Sequence, residues 1–418
     1  MHADSLTPVL AAVAIILVAA KLAGELAVRI GQPAVLGELL AGVVLGNLPL
    51  VGVEALSFIA VTPGVDVLAR LGVLLLLFEI GLESTVAQMA QVGVTAAVVA
   101  VLGVVVPFAL GWGVAAFALP DQPALVHAFI GAALSATSVG ITARVLRDLG
   151  RAATLEARII LGAAVIDDVL GLLVLAAVSG AIAAASAGGG LSVVMLAGVV
   201  VKAAAFLVGA LLFGRWLAPL VFRGAARFRA PGMLLALGLA CCFSLAWLAG
   251  LTGLAPIVGA FAAGLVLEDP HFADFTRRGE SPLAHLVQPL SSFLAPVFFV
   301  LMGMRTTLTA FADGKVLLLA AGLTAVAIAG KLACALGVRD RRLDRLSIGV
   351  GMIPRGEVGL IFADIGAALT LAGQPVIGAT TFSAVVAMVI ATTVVTPPAL
   401  KWSLGRHRAA PMVPSETV

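Results

Sequence analysis

The chain has 418 residues, of which 61% are hydrophobic and 11% charged, and its formal net charge is +3. Soluble globular chains average roughly 45–50% apolar and about 25% charged residues, so this composition excludes a soluble enzyme. A helix needs about 20 mostly apolar residues to cross a bilayer, and thirteen such stretches occupy most of the chain. The sequence therefore predicts an all-α polytopic membrane protein with no separate aqueous domain.

The predicted membrane spans are numbered 1 to 13 in chain order. Charged or Gly- and Pro-rich breaks separate the apolar runs and set the boundaries. The N-terminal run has no basic segment before it, so it is interpreted as span 1 rather than as a signal peptide. The spans are 8–28, 33–48, 66–82, 93–118, 125–147, 154–184, 191–216, 231–250, 253–268, 286–303, 315–336, 345–370 and 376–400.

Basic residues distinguish the two sides of the predicted membrane. Eighteen lysine and arginine residues, from Arg29 to Arg408, lie in or beside the loops of one side and the tail, against Arg305 and Lys315 in the loops of the other. Cytoplasmic loops carry the excess of basic residues. The pattern predicts an N-terminus outside and a C-terminus in the cytoplasm, as an odd number of spans requires. It also explains the positive net charge without a nucleic-acid partner.

An internal repeat connects the two halves of the chain. The segment 36–45 aligns with 258–267, with Gly37 opposite Gly259 at an offset of 222 positions, and 78–85 aligns with 300–307 at the same offset. This offset places span 2 over span 9. A displacement of seven spans turns the second copy upside down in the bilayer, and such inverted repeats are typical of secondary transporters.

Spans 5 and 12, which correspond under this repeat, are both interrupted. SATSVG at 135–140 puts small hydroxyl residues in span 5, and GMIPRGEVG at 351–359 puts Pro354 and several glycines in span 12. Proline removes a backbone donor and glycine lowers helix propensity. Irregular backbone inside a membrane is tolerated only where protein or a water-filled cavity satisfies it. Two corresponding broken spans therefore predict a binding site near the midplane.

Three ionisable residues inside the spans are the strongest site candidates: Asp167 and Asp168 in span 6, and Lys331 in span 11. An ionised side chain at the centre of a membrane helix costs roughly 2.5–3.5 kcal/mol. Adjacent helical residues point about 100° apart, so one aspartate can contact a neighbouring helix while the other faces a cavity. The pair is therefore predicted to bind protons or cations. Lys331 either extends towards the cytoplasmic interface or pairs with Asp167 and loses its proton when a cation binds.

Four further residues lie in the interrupted spans. Arg355 and Glu357 are expected to form structural ion pairs that fix the broken helix, because arginine does not release its proton. Thr137 and Ser138 either hydrogen-bond between helices or supply oxygen ligands to a cation. Such a donor set suits Na⁺, Li⁺ or K⁺ as well as protons. The remaining charged residues within spans are assigned no role: Glu38, Glu79, Lys202 and Asp364.

Four segments, in this order along the chain, resemble one known family. They are ALSATSVGITARVLRDLG (133–150), AVIDDVLGLLVLA (164–176), GKLACALG (330–337) and GMIPRGEVGLIFADIG (351–366). The chain resembles the second family of monovalent cation:proton antiporters, with the NapA-type Na⁺/H⁺ exchangers nearest and the Kef potassium-efflux proteins related. The likeness extends over all thirteen predicted spans.

The resemblance implies an NhaA/NapA-like antiporter fold with two crossed discontinuous helices in a six-helix core. This core would move like an elevator against a dimerisation domain of a homodimer in the bacterial inner membrane. Asp168 would be the principal ligand and proton carrier, and Asp167 the partner of Lys331, with Thr137 and Ser138 on the unwound helix beside them. An Asp-Asp pair with a lysine implies electrogenic exchange of two protons per cation.

Together, the repeat and the resemblance predict seven segments. The first half comprises an extra N-terminal span of the dimerisation domain, a scaffold part, and a core part that holds the aspartates. Connecting spans form the fourth segment. The second half then comprises a scaffold part and a core part, and a cytoplasmic tail follows. In order, the segments are 1–30, 31–85, 86–186, 187–250, 251–310, 311–402 and 403–418.

The leading hypothesis is an antiporter that exchanges cytoplasmic Na⁺ or Li⁺ for external H⁺, with K⁺/H⁺ exchange or a Kef-like potassium efflux pathway as the alternative. An intramembrane aspartyl protease takes its aspartates from separate helices, usually with a GxGD segment, whereas these aspartates are adjacent. Span 13 ends near residue 400, and the chain has neither a GxGxxG motif nor metal-ligand spacing among its cysteines and histidines. No cofactor and no nucleotide-dependent regulation are expected.

Overall fold

The computed structural model describes most of the chain, including all seven candidate site residues. The predicted cytoplasmic tail lies outside the described residues from position 407 onward. The described residues are 6–83, 93–149, 151, 154–186, 193–228, 230–267, 272–340 and 342–406.

The described part of the chain is helical, which confirms the predicted all-α class, apart from one short ladder in which β1 (Thr370–Leu371) pairs antiparallel with β2 (Gln374–Pro375). The helices of the first half are α1 (Leu6–Arg29), α2 (Ala34–Asn47), α3 (Phe58–Val61), α4 (Pro63–Glu83), α5 (Gly93–Ala118), α6 (Ala124–Ser135), α7 (Val139–Asp148), α8 (Leu155–Ser186) and α9 (Val193–Trp216). Those of the second half are α10 (Ala218–Ala225), α11 (Met233–Leu251), α12 (Pro256–Val266), α13 (Ala273–Thr276), α14 (Leu283–Met304), α15 (Gly314–Leu332), α16 (Arg345–Gly351), α17 (Glu357–Ala368) and α18 (Ala379–Arg406).

Each predicted span coincides with a helix, except that spans 5 and 12 each coincide with two shorter helices, α6 with α7 and α16 with α17. Eight helices among the described residues are long and apolar enough to cross a membrane. α12 has only 11 residues. At about 1.5 Å per residue it is too short to cross a hydrocarbon core of about 30 Å. The number of membrane crossings therefore stays a prediction.

The helices pack in two groups. The scaffold group consists of α1, α2, α4, α11, α12 and α14, and the core group consists of α5 to α8 and α15 to α18. Within the scaffold group, α4 packs along both α12 and α14, while α2 packs on α1 and α14. Within the core group, α5 contacts α6, α8 and α15, and α18 contacts α15 and α17. The two groups meet where α14 contacts α17.

The packing of the scaffold group repeats with the offset seen in the sequence. A Cβ on Gly37 would lie 2.1 Å from the carbonyl oxygen of Ala23, and a Cβ on Gly259 would lie 2.1 Å from that of Leu245. Ala23 and Leu245 are themselves 222 positions apart. Both contacts leave no room for a side chain, so they bring α2 against α1 and α12 against α11 at backbone distance.

A second pair of contacts follows the same rule. Gly42 of α2 lies against the carbonyl of Val300 in α14, and Gly264 of α12 lies against the carbonyl of Phe78 in α4. A Cβ would come within 2.1 Å and 2.3 Å of these oxygens, respectively. The α2–α14 crossing therefore has its counterpart in the α12–α4 crossing, and each of them joins a helix of the first half to a helix of the second.

Candidate functional site

The candidate site is built around two interrupted helices. α6 ends at Ser135, the backbone of Ala136 is extended (φ −65°, ψ 146°), and α7 begins at Val139. α16 ends at Gly351 and α17 begins only at Glu357. The second break is expected from Pro354, which lacks a backbone donor and disfavours a helical residue before it. The first break contains neither proline nor glycine, and its hydroxyl residues compete for backbone hydrogen bonds.

The two breaks lie against each other and satisfy each other's backbone groups. The Ser138 amide donates to the Pro354 carbonyl at 2.9 Å. The hydroxyl of Thr142, in the first turn of α7, donates to the Gly351 carbonyl at 2.6 Å. Arg355 donates from Nη1 to the Ala136 carbonyl. These bonds replace the helical bonds that both segments lose, so neither break requires water to satisfy these groups.

α18 holds the second break from its other side. The Thr393 hydroxyl donates to the Arg355 carbonyl at 2.9 Å, and the Arg355 amide donates to the Thr392 hydroxyl at 3.3 Å. Both threonines are buried. They were missed in the sequence, although two adjacent hydroxyls in the apolar run of span 13 are a signal that could have identified them.

The expected ion pairs of Arg355 and Glu357 are wrong. Among the described residues neither side chain has an oppositely charged partner within ion-pair distance. Arg355 is fully buried and donates to the backbone of the facing break, while Glu357 accepts a hydrogen bond from the Ser138 hydroxyl at 2.8 Å. Each residue therefore joins one broken helix to the other. The physical reason is that the crossing offers unsatisfied carbonyls and hydroxyls closer than any opposite charge.

Lys331 and Asp167 form an ion pair in the core group. Nζ of Lys331 lies 2.8 Å from Oδ1 of Asp167, and both side chains are 0% exposed. Of the two alternatives for Lys331, the structure contains the pairing with Asp167 rather than an extended side chain at the interface. A buried pair of this kind is strongly destabilised when one member loses its charge, because the other is left uncompensated.

α5 closes over this ion pair at Gly103. A Cβ built on Gly103 would lie 3.2 Å from both Lys331 Nζ and Asp167 Oδ1, and 3.1 Å from Cys334 Sγ. Glycine therefore allows α5 to approach the charged atoms to ordinary contact distance. Nothing in the apolar run GVVVP around this residue distinguishes it in the sequence.

Asp168 has a different environment from its neighbour. It is 9% exposed, and its Oδ1 is buried without a hydrogen-bond partner. Gly171 lies three residues further along α8 and faces Ala136, since a Cβ there would be 3.9 Å from the Ala136 Cα. Residues three apart lie on one helix face, so Asp168 is on the face of α8 that is turned towards the first break.

Several oxygen atoms at this crossing have no partner within the described protein. They are Oδ2 of Asp167, Oδ1 of Asp168 and the hydroxyl of Thr137, which are all buried. Glu357 is close enough to interact electrostatically with Asp168. Buried oxygens without donors are costly. A proton or a hard cation would satisfy them, since such cations prefer carboxylate, hydroxyl and carbonyl ligands. The site thus combines one ion pair, Lys331–Asp167, with one carboxylate, that of Asp168, that has an unpartnered oxygen.

The chain is similar to known membrane transporters along nearly all its length. A family model described as "Sodium/hydrogen exchanger, transmembrane" matches residues 12–404. The high-affinity Na⁺/H⁺ antiporter NhaS3 of Synechocystis sp. is 38% identical, over 95% of this chain and 90% of that protein. The Na⁺/H⁺-K⁺ antiporter GerN of Bacillus cereus is 35% identical, over 94% of this chain and 95% of that protein.

The fold of the chain is similar to that of a solved antiporter structure. The sodium proton antiporter MjNhaP1 from Methanocaldococcus jannaschii matches with a TM-score of 0.72, over 96% of this chain and 99% of that one. The sequence identity is 16%, so this likeness supports the architecture and carries no information on the transported ion.

Proposed function

The chain belongs to the sodium/hydrogen exchanger family, and we propose that it exchanges cytoplasmic Na⁺ or Li⁺ for external H⁺ as a secondary antiporter. It is an integral membrane protein of a transporter family. The observation that carries the proposal is the contrast at the helix crossing: Asp167 is held by Lys331 at 2.8 Å, whereas the adjacent Asp168 is 9% exposed and has a buried oxygen without a hydrogen-bond partner.

In this mechanism Asp168 binds either a proton or a cation. The monovalent cation binds beside the Asp168 carboxylate. Oxygens of Thr137 and Ser138, on the first break, serve as its further ligands. Protonation of Asp168 removes the negative charge and releases the cation. Binding of the two ligands is therefore mutually exclusive, which is the requirement for obligatory exchange.

Lys331 supplies the second proton. When a bound cation draws Asp167 into its coordination shell, Lys331 loses its carboxylate partner, and a buried lysine without such a partner favours the neutral form. Two protons would then enter for each cation that leaves. At 100 mV each net charge gains about 2.3 kcal/mol, so this stoichiometry uses the membrane potential to expel the cation.

Alternating access is proposed to come from movement of the core group against the scaffold group. The repeated glycine contacts of the scaffold support an inverted repeat, in which two states of the molecule are related by exchange of the two halves. The basic loops support the orientation with the N-terminus outside. A homodimer in the bacterial inner membrane remains a prediction from the family resemblance.

The test uses purified protein in liposomes that contain a pH-sensitive dye. Addition of Na⁺ or Li⁺ should move protons, and Asp168→Asn should reduce this flux to the level of protein-free liposomes because asparagine cannot exchange a proton for a cation. Asp121→Asn is the matched control, since Asp121 is exposed in the loop between α5 and α6, and it should transport normally. Absence of cation-driven proton flux in the wild type, or normal flux in Asp168→Asn, would contradict the proposal.

Potassium is the second candidate substrate, because the relative GerN is named a Na⁺/H⁺-K⁺ antiporter. Electrical recording on solid-supported membranes with Na⁺, Li⁺ and K⁺ jumps distinguishes the cations, and the sign of the current reports whether exchange is electrogenic. A potassium efflux pathway of the channel type would conduct K⁺ with the proton gradient collapsed, whereas an antiporter would not.

A further inference from the structure

A second group of polar residues lines a cavity between the scaffold group and α17, and Asp168 is not among them. An open cavity of about 310 Å³ is lined by residues of α1, α2, α4 and α14. Lys21 and Ser292 are exposed at its mouth, and buried Phe299 forms part of its wall. Glu357 of α17 also lines the cavity. The cavity therefore extends from the scaffold group to the helix crossing of the core group.

Glu38 is the residue of this cavity that most requires a partner. It lies on α2, lines the cavity and is only 7% exposed. Within the described residues it has no hydrogen bond and no ion pair, although Lys21 interacts with it at longer range. A carboxylate buried to this extent without a partner is costly. Its carboxylate is therefore available to a proton or to a cation in the cavity.

The other charged groups that face the cavity favour a cation. Glu79 of α4 accepts a hydrogen bond from the Ser291 hydroxyl, and Glu357 accepts one from Ser138. Three carboxylates thus line the cavity with a single lysine, Lys21. The excess of negative charge raises the local concentration of cations. Carboxylate and hydroxyl oxygens are the ligands that hard cations prefer.

We propose that Glu38 holds a monovalent cation at an entry site, from which the ion moves past Glu357 to Asp168. This inference rests on the proposed function and adds a binding site to it. Glu357 connects the two sites, since it lines the cavity and accepts the hydroxyl of Ser138, the neighbour of Thr137. With the N-terminus outside, Glu38 lies near the cytoplasmic end of α2, so the site serves cations that arrive from the cytoplasm.

The first experiment measures the sidedness of cation affinity for Glu38→Gln. Glutamine keeps the shape of a protonated glutamate and removes only the charge. In everted vesicles, where the cytoplasmic face is outside, the apparent KM for Na⁺ should rise about tenfold, the ratio that corresponds to about 1.4 kcal/mol. The maximal rate and the KM measured from the other face should stay unchanged. The shorter Glu38→Asp, which keeps the charge, should lie between Glu38→Gln and wild type.

Glu25→Gln is the matched control, because Glu25 is exposed on the neighbouring α1 and paired with Arg29. It should leave the KM unchanged from both faces. If Glu38→Gln also leaves the KM unchanged, Glu38 is a protonated, purely structural acid and the inference fails. An equal rise from both faces would contradict a cytoplasmic entry site.

The second experiment detects binding without transport. Thermal unfolding is followed in detergent with NaCl, and with choline chloride at equal ionic strength, in the Asp168→Asn background. Residual stabilisation by Na⁺ is expected there and should disappear when Glu38→Gln is added. Equal stabilisation in both variants would overturn the entry site while leaving the antiporter intact. Conversely, a wild type without cation-driven proton flux would refute the proposed function, even where Na⁺ stabilisation still depends on Glu38.

Discussion

Two clusters of charge, one at the helix crossing and one near the opposite end of the cavity-lining helices, are built in contrasting ways. The pair Lys331–Asp167 is completely buried and contains one bond, with a carboxylate oxygen of Asp167 left over. The second cluster connects three places: α4, α17 and Arg305, which directly follows α14. Its side chains are all at least partly exposed to solvent, and we call it the outer network. The outer network consists of Asp66, Arg70, Arg305 and Asp364.

Within the outer network every carboxylate has an arginine partner. Arg305 binds both Asp66 (2.7 Å) and Asp364, and Arg70 binds Asp66 at 2.7 Å. The side chain of Arg305 is 31% exposed. Water screens such pairs, and each contributes little to stability. The buried pair is therefore expected to depend strongly on its charge, whereas the outer network can open and close at small cost.

The largest expected effect is that of Lys331→Gln. The substitution leaves the Asp167 carboxylate buried without a cation, and losing one partner of a buried pair costs about 3–5 kcal/mol in free energy of unfolding. Denaturation in mixed micelles with increasing SDS measures this loss. The double variant Lys331→Gln/Asp167→Asn removes both charges and keeps two polar side chains of similar shape. It should be more stable than Lys331→Gln alone, and equal instability of the two would show that packing rather than charge holds this site.

The sequence predicts the positions of this pair well, and the reason is energetic. Few charges are tolerated inside apolar spans, so Asp167, Asp168 and Lys331 stand out from their neighbours, and Pro354 marks the second break. The helical class and the repeated packing of Gly37 and Gly259 follow from similarly local signals.

The contacts across the crossing could not be predicted in the same way. Arg355 and Glu357 are expected to form structural ion pairs that fix the broken helix, but their partners depend on which carbonyls and hydroxyls the first break leaves free. The first break has no proline, and Thr392 reaches the second break from a helix far along the chain. Glu38 is recognised in the sequence as a charge within a span but is assigned no role there, since the cavity that it lines is formed by five helices.

An intermediate effect is expected for Gly103→Ala, which presses on the buried pair without changing a charge. The new methyl group would lie 3.2 Å from Asp167 Oδ1 and Lys331 Nζ. Overpacking of this kind costs about 1–3 kcal/mol, and the pair should lengthen or tilt. Gly113→Ala on the same helix is the control, because a Cβ there meets nothing within 4 Å. It should be neutral or stabilising, by up to about 1 kcal/mol. Similar unfolding of the two variants would mean that α5 does not constrain the pair.

The smallest expected effect is that of Arg305→Gln in the outer network, at about 1 kcal/mol or less because the pair is partly hydrated. Its coupling energy with Asp364 is obtained from a double-mutant cycle with Asp364→Asn, by the same SDS denaturation. Arg29→Gln, which removes the exposed pair with Glu25, provides the reference for a surface interaction.

This weakness has a mechanistic reason. Arg305 and Asp66 both belong to the scaffold group, whereas Asp364 belongs to the core group, so the proposed movement of one group against the other must break the Arg305–Asp364 bond once in each cycle. A coupling energy of about 4 kcal/mol, similar to that of the buried pair, would slow such a step by roughly a thousandfold. Arg305→Gln should therefore change the transport rate by less than about tenfold, in either direction, while Lys331→Gln abolishes electrogenic exchange. A strong coupling at Arg305 together with rapid transport would mean that the outer network stays closed and that the moving parts are divided elsewhere.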